Sequence, residues 1–254
     1  MAGIGERGLP VRIGCAGWSV PRTERERFPE EGSSLERYAS RFDAVEINSS
    51  FHRPHRPATY VRWSASVPAS FRFSVKIPKT VTHGSRLKET GGLLDAFLAE
   101  AGGLGEKLGC LLVQLPPSLS FEPAVVDGFF ADLRSRFSGP VACEPRHASW
   151  FTPDVDDFLK ERTVARVAAD PARVPEAAEP GGWRGLSYFR LHGSPRTYYS
   201  AYSEEYITAL ARRIQEDAAE GRTVWCIFDN TTLGAATGNA LALRSLLAPT
   251  PQGR

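Results

Sequence analysis

Ala44-Val45-Glu46-Ile47-Asn48 alternates apolar and polar side chains, and the alternation decides how this chain is built. Successive side chains of an extended strand point to opposite faces. Val45 and Ile47 therefore face an apolar layer of helices, and Glu46 and Asn48 share the other face. Seven further strand-like runs can be split in the same way. In order, the eight are Arg12–Trp18, Ala44–Ser50, Arg72–Pro78, Cys110–Pro116, Val141–Arg146, Val164–Asp170, Leu186–Gly193 and Thr223–Asn230.

Amphipathic segments fall between most of these runs: Ser34–Phe42, Thr59–Val67, Gly92–Lys107, Pro123–Phe137, Pro153–Glu161, Ser203–Glu220 and Gly238–Leu247. Ser34, Thr152 with Pro153, and Ser203 supply the start signals of three of them. Strands alternating with helices predict an α/β fold around a parallel sheet. Eight strands in 254 residues predict a single TIM-type (β/α)8 barrel rather than an open doubly wound sheet. Pro171–Gly185, rich in Pro, Ala and Gly, predicts an irregular connection in place of the sixth helix. The whole chain reads as one domain, with loose ends at 1–10 and 249–254.

An apolar fraction of 42% with 24% charge is that of a globular protein able to bury a large core. No segment has the roughly 18 apolar residues of a membrane span, and the opening MAGIGERGLP lacks a signal peptide's apolar run, so a cytoplasmic location without membrane contact is expected. The net charge of +2 is too small to imply a nucleic-acid partner by itself. Cys15, Cys110, Cys143 and Cys226 lie far apart inside apolar runs and read as small core residues, not as disulfides or metal ligands.

Alternation turns Lys76, Gln114, Glu144, Arg146, Arg190 and His192 to the same side as Glu46 and Asn48. Trp18 ends the first run, Asp170 the sixth, and Asp229 with Asn230 the eighth. In barrels the active site lies at the C-terminal ends of the strands, where these residues collect. A single buried cation there is readily a structural partner for a carboxylate, as expected for Arg166. A whole ring of such charges is costly to bury without a use. All five histidines, His52, His55, His83, His147 and His192, follow or end strands, which suits acid–base work or metal ligation. No close histidine pairing gives a ligand set, and no metal site is expected.

The strand-end motifs resemble the YecE-like family, catalogued as domain of unknown function 72. The resemblance rests on Gly14-Cys15-Ala16-Gly17-Trp18, Glu46-Ile47-Asn48-Ser49-Ser50-Phe51, Phe73-Ser74-Val75-Lys76 with Thr82-His83, and Gln114-Leu115-Pro116-Pro117. It continues through Glu144-Pro145-Arg146-His147-Ala148-Ser149-Trp150, Arg190-Leu191-His192-Gly193, and Asn230 with Gly238-Asn239-Ala240. It runs in order along nearly the whole chain and implies a TIM-type barrel, without implying a reaction or a cofactor. His52 stands where the resemblance leads one to expect an aromatic, and Asp229-Asn230 where it leads one to expect paired asparagines.

The leading functional expectation is an enzyme acting on a small anionic substrate. Glu46, Lys76, Glu144, Arg146 and His192 would be catalytic. Trp18, Asn48, His83, Gln114, Trp150, Asp170, Arg190, Asp229 and Asn230 would bind substrate. A nucleic-acid-binding or nuclease-like barrel, by analogy with endonuclease IV, is the alternative. It draws on His52-Arg53-Pro54-His55-Arg56, Lys79, Arg86, Trp150 and Arg196-Thr197-Tyr198-Tyr199, where aromatics could stack on bases and arginines hold phosphate. A non-enzymatic ligand-binding protein is the third reading.

Overall fold

The computed structural model describes residues 11–248; the expected loose ends lie outside the described residues. The strands are β1 (Val11–Cys15), β2 (Ala44–Ile47), β3 (Arg72–Lys76), β4 (Leu108–Gln114), β5 (Val141–Glu144), β6 (Val164–Arg166), β7 (Ala168–Asp170), β8 (Gly181–Gly182), β9 (Leu186–Leu191) and β10 (Thr223–Phe228). They form two sheets, ordered β1-β10-β9-β7 and β2-β3-β4-β5-β6-β8. Every pairing is parallel except that of the two-residue β8 with β6. The fold is thus α/β, and each of the eight expected runs contains a strand.

The ladders leave two sheets rather than the one closed sheet expected. The sixth run divides at Val167, whose N–H donates to Cys143 O at 2.8 Å, so that β6 pairs with β5 while β7 pairs with β9. At the other edge, Ala16 and Glu46 form a single parallel bridge, and Gly17 N–H donates to Glu46 O at 2.9 Å. Gly14 allows this approach: a Cβ there would lie 2.1 Å from Ala44 O. Buried Tyr38 fastens the same seam, its hydroxyl accepting from Cys15 N–H at 2.8 Å and donating to Ala44 O at 3.0 Å.

The helices are α1 (Ser34–Ala39), α2 (Ser49–His52), α3 (Pro57–Ala65), α4 (Gly91–Ala101), α5 (Pro123–Arg136), α6 (Pro153–Glu161), α7 (Glu204–Ala219) and α8 (Ala235–Leu247). The cap of α1 is Ser33, not Ser34, because Ser33 and Glu36 exchange side-chain and backbone hydrogen bonds in a capping box. Thr152 and Ser203 cap α6 and α7 as expected. The fourth helix stops at Ala101 rather than Lys107, since the glycines of Gly102–Lys107 wind into a 3-10 segment with Gly105 at φ 56°. Pro57 at the first turn starts α3 two residues before the expected Thr59. Between β7 and β9 there is no α-helix, only a 3-10 turn (Pro175–Ala178) and β8.

Alternate strand positions fill two separate cores. Val45, Ile47, Phe73, Val75, Leu111, Val113 and Cys143 belong to a large cluster shared with the helices. Ala44, Cys110, Leu112, Ala142, Ala165, Tyr188, Trp225 and Ile227 form a second, drawn from strands of both sheets. All four cysteines are buried and free, as expected of small core residues.

Candidate functional site

Above the inner core, at the C-terminal strand ends, the second set of side chains turns from apolar to charged. Arg190 of β9 is at its centre and has no solvent exposure. Its Nε and Nη2 donate to the two oxygens of Glu46 at 3.0 and 2.7 Å, Nη1 donates to Glu144 Oε2 at 2.6 Å, and Nη2 also reaches Asp229 Oδ2 at 3.1 Å. Burial opposes its charge, yet Glu46, Glu144 and Asp229 outweigh burial and hold its pKa well above the ordinary value. Tyr188, two residues earlier and therefore on the same face, donates to Glu46 at 2.8 Å from across the interior.

His192 lies between two of these carboxylates, Nδ1 3.0 Å from Asp229 Oδ2 and Nε2 3.0 Å from Glu144 Oε1. Ionised carboxylates only accept, so both ring nitrogens donate. Burial works against the imidazolium, but Glu144 and Asp229 raise the pKa above its usual value. Burial likewise works against ionised Glu144, and Arg190, His192 and Arg146 together bring its pKa well below the ordinary range. Asp229 is lowered as well, Arg190 and His192 prevailing over burial. Arg146, partly open to solvent, completes the group with Nη2 3.1 Å from Glu144 Oε1.

Lys76 differs from every other cation here. Buried at the end of β3 with 8% exposure, it forms no ion pair or hydrogen bond through Nζ among the described residues, and Nζ lies 4.1 Å from the centre of the Phe51 ring. Burial and the nearby Arg190 lower its pKa to about 8 against the pull of Glu144, Glu46 and Asp229. His83 follows in a π-helical turn (Thr80–Gly84), edge-on to the same Phe51 ring at 5.1 Å, with Nδ1 2.9 Å from Thr82 Oγ1. Its pKa is lowered by burial and then by Lys76, Arg146 and Lys79, so the positive field of three cations meets there. Asn48 donates to Asp229 at 3.5 Å, while its buried Oδ1 has no hydrogen-bond partner among the described residues.

The structure therefore brings together Glu46, Asn48, Lys76, His83, Glu144, Arg146, Arg190, His192 and Asp229. Of the remaining expected residues, Gln114 stands beside Glu144 in the β4–β5 ladder, and the others are engaged elsewhere. Trp150 is wholly buried and donates to Leu119 O at 2.9 Å, because the 3-10 turn Ala148–Trp150 directs it down into the core. Asp170 accepts from the Tyr202 hydroxyl at 2.8 Å, and Gln114 donates to Leu115 O. Trp18 packs edge-on against Trp63 at 5.0 Å, and Asn230 donates to Ser200 O and Asn239. Arg166 pairs with Asp156 at 2.7 Å, the structural role expected of it.

Arg190, expected to bind substrate, is instead enclosed by its three carboxylates, since all of its donors point into the interior. Beside Glu144, Arg146 and His192 lies a cleft of about 160 Å³, also lined by Arg173, Thr197 and Tyr198. Tyr198, which sequence reading finds only as a loop aromatic, holds a left-handed φ of 70°. Its ring meets His192 edge-on at 5.8 Å, and it adds to the surroundings that keep Arg146 charged. Tyr188 shares the alternation that exposed Arg190, so that signal could have found it. Among the described residues no three His, Cys, Asp or Glu side chains form a group able to hold a metal, and no helix is long and apolar enough to cross a membrane.

A family model described as "Protein of unknown function DUF72" matches residues 12–254, and the chain belongs to that family. UPF0759 protein YecE of Escherichia coli strain K12 is 30% identical over 178 residues, covering 67% of this chain and 62% of that protein. The chain thus matches less than two thirds of that relative's length. UPF0759 protein YunF of Bacillus subtilis is 22% identical over 93% of this chain and 94% of its own. Two solved DUF72 family proteins share the fold. The one from Enterococcus faecalis has a TM-score of 0.79 at 23% identity, covering 95% of this chain and 96% of that one. The one from Thermotoga maritima has a TM-score of 0.76 at 25% identity, covering 93% and 98%.

Proposed function

We propose that this chain is an enzyme that binds a small anionic substrate at the C-terminal strand ends and acts on it by acid–base chemistry. The two sheets would act as one (β/α)8 barrel, joined at the Ala16–Glu46 bridge and through the divided run at Val167. The observation that carries the reading is Lys76, a buried ammonium without a carboxylate partner among the described residues, in a cluster that pairs its other cations. Three carboxylates, Glu46, Glu144 and Asp229, face Arg146, Arg190, His192 and Lys76. With all four cations charged, the cluster carries one positive charge beyond its carboxylates, which an anion would neutralise.

Roles divide by pairing. Glu46 and Arg190 are the frame, committed to each other and to Tyr188. Glu144 orients Arg146 and His192 and, held far below its ordinary pKa, is poorly suited to take a proton near neutrality. Arg146 and Lys76 would hold the substrate's negative group. A pKa of about 8 leaves Lys76 able to give or take a proton near neutral pH, and neutral His83 is suited to pass that proton on. Trp150 and Arg86 offer little to a nucleic acid, the first being buried and the second spent on Ser118, so the small-anion reading is preferred.

Calorimetric titration with phosphate, sulfate and citrate tests the proposal. Saturable binding that is lost in Lys76→Met and weakened in Arg146→Met is expected. Unchanged heats in both variants would refute it.

A further inference from the structure

From the isolation of the buried Lys76 amine on the Phe51 ring that His83 also meets, we infer that Nζ forms an imine with a small oxo acid, whose carboxylate Arg146, paired with Glu144 in the same cluster, would receive. The inference rests on the small-anion reading above and adds the substrate's chemical class, a carbonyl next to a negative group.

The chain has 26 arginines and five lysines, and three of the four cations in the cluster are permanently or readily charged groups held by carboxylates. An arginine at position 76 would supply charge equally well, but a guanidinium cannot be deprotonated for attack, whereas a desolvated ammonium can. A lysine fixed for its charge would also be expected to touch a carboxylate. Lys76 instead meets the face of Phe51.

A lysine nucleophile is activated by desolvation or by another cationic group, and both act on Lys76, through burial and Arg190. With a pKa of about 8, roughly a tenth of the amine is free at pH 7. His83, neutral under the field of the same cations and sharing the Phe51 ring, is suited to take up and return a proton. Asn48 Oδ1, buried without a partner among the described residues, is free to accept a hydrogen bond from the carbinolamine hydroxyl.

The step balances without a co-reactant. The ammonium first gives one proton to His83; the neutral amine then attacks the carbonyl carbon, the C–N bond forming as the C=O π pair moves to oxygen, and the proton shed by the nitrogen goes to that oxygen to give a neutral carbinolamine. The proton held by His83 returns to the hydroxyl, the C–O bond breaks as water leaves, and the nitrogen lone pair completes the C=N bond of the protonated imine.

The test is borohydride trapping of the full chain with pyruvate, glyoxylate and, as a carbonyl without charge, acetaldehyde, followed by intact mass and peptide mapping. The expected result is one reduced adduct on Lys76, favoured over Lys79, Lys88, Lys107 and Lys160 by at least about tenfold. Its rate should rise with pH through about 8. Lys76→Arg, which keeps the charge, should fold normally by circular dichroism and trap nothing at this position. Arg146→Met should slow trapping with the oxo acids but not with acetaldehyde. Adducts spread evenly over the lysines, or none on Lys76, would overturn the inference. If that occurred while phosphate binding still required Arg146, the small-anion reading would survive it. Selective trapping by acetaldehyde alone, with no anion bound, would overturn both that reading and the oxo-acid assignment.

Discussion

Arg190 grips Glu46 through two nitrogens, Nε 3.0 Å from Oε2 and Nη2 2.7 Å from Oε1, and neither side chain has any solvent exposure. The pair joins β9 of one sheet to β2 of the other, and its first consequence is energetic. Removing one member of a buried pair leaves the other charged and unsolvated. Glu46→Gln and Arg190→Met are each expected to lower stability by about 3–5 kcal/mol, measured by urea unfolding. A loss well under 1 kcal/mol in both would mean that the frame is not structural.

Glu144 and Arg146 lie two residues apart but should respond differently to substitution. Glu144 answers Arg190, His192 and Arg146 at once, so Glu144→Gln should cost several kcal/mol of stability, on the order of 3. Arg146 is partly open to solvent and makes one ion pair, so Arg146→Met should cost no more than about 1 kcal/mol while weakening anion binding. Thermal unfolding and calorimetry on the same preparations would separate the two effects.

His192 gives the protein a pH dependence of defined sign. Its folded pKa is raised, so its contribution is fully present below the unfolded imidazole value of about 6.5 and is lost as pH rises through the folded value. Glu144 and Asp229, both lowered, contribute above about pH 4 and lose that contribution as pH falls. The stability advantage of the wild type over His192→Gln should therefore be largest near pH 5–6 and shrink at higher pH. Urea midpoints across that range give the answer, and a difference that grows with pH would contradict the pairing.

Trp150 should behave as a core residue. Its ring is buried against Phe121, and its indole N–H is satisfied by Leu119 O. Trp150→Ala is expected to cost about 3–5 kcal/mol, and Trp150→Phe considerably less, with anion binding unchanged in the Phe variant. A selective loss of binding in Trp150→Phe, with stability retained, would return the residue to the site.

Alternation along β2, β5 and β9 is enough to place Glu46, Glu144, Arg190 and His192 on one face, because a strand leaves a side chain only two directions, and Asp229 enters only as the residue that ends the eighth run. It could not show which cations would be consumed. That depends on reach between strands far apart in the chain, as from Arg190 to Glu46. Positions at or just past a strand end are harder still: the 3-10 turn after β5 sends Trp150 into the core, and Asp170, two residues from Ala168 of the helix-side core in β7, meets Tyr202 instead of the cluster. Periodicity does not reveal the division into two sheets either, since the seam between them holds only single contacts such as Gly17 N–H to Glu46 O.

The reach of Arg190 also bears on how the chain is made. Glu46 and Glu144 leave the ribosome well before the residue that neutralises them, and 144 positions separate Glu46 from Arg190. Until β9 has been synthesised, β2 and β5 hold carboxylates that are costly to desolvate. The charge of this layer is balanced only by a residue that the chain supplies late.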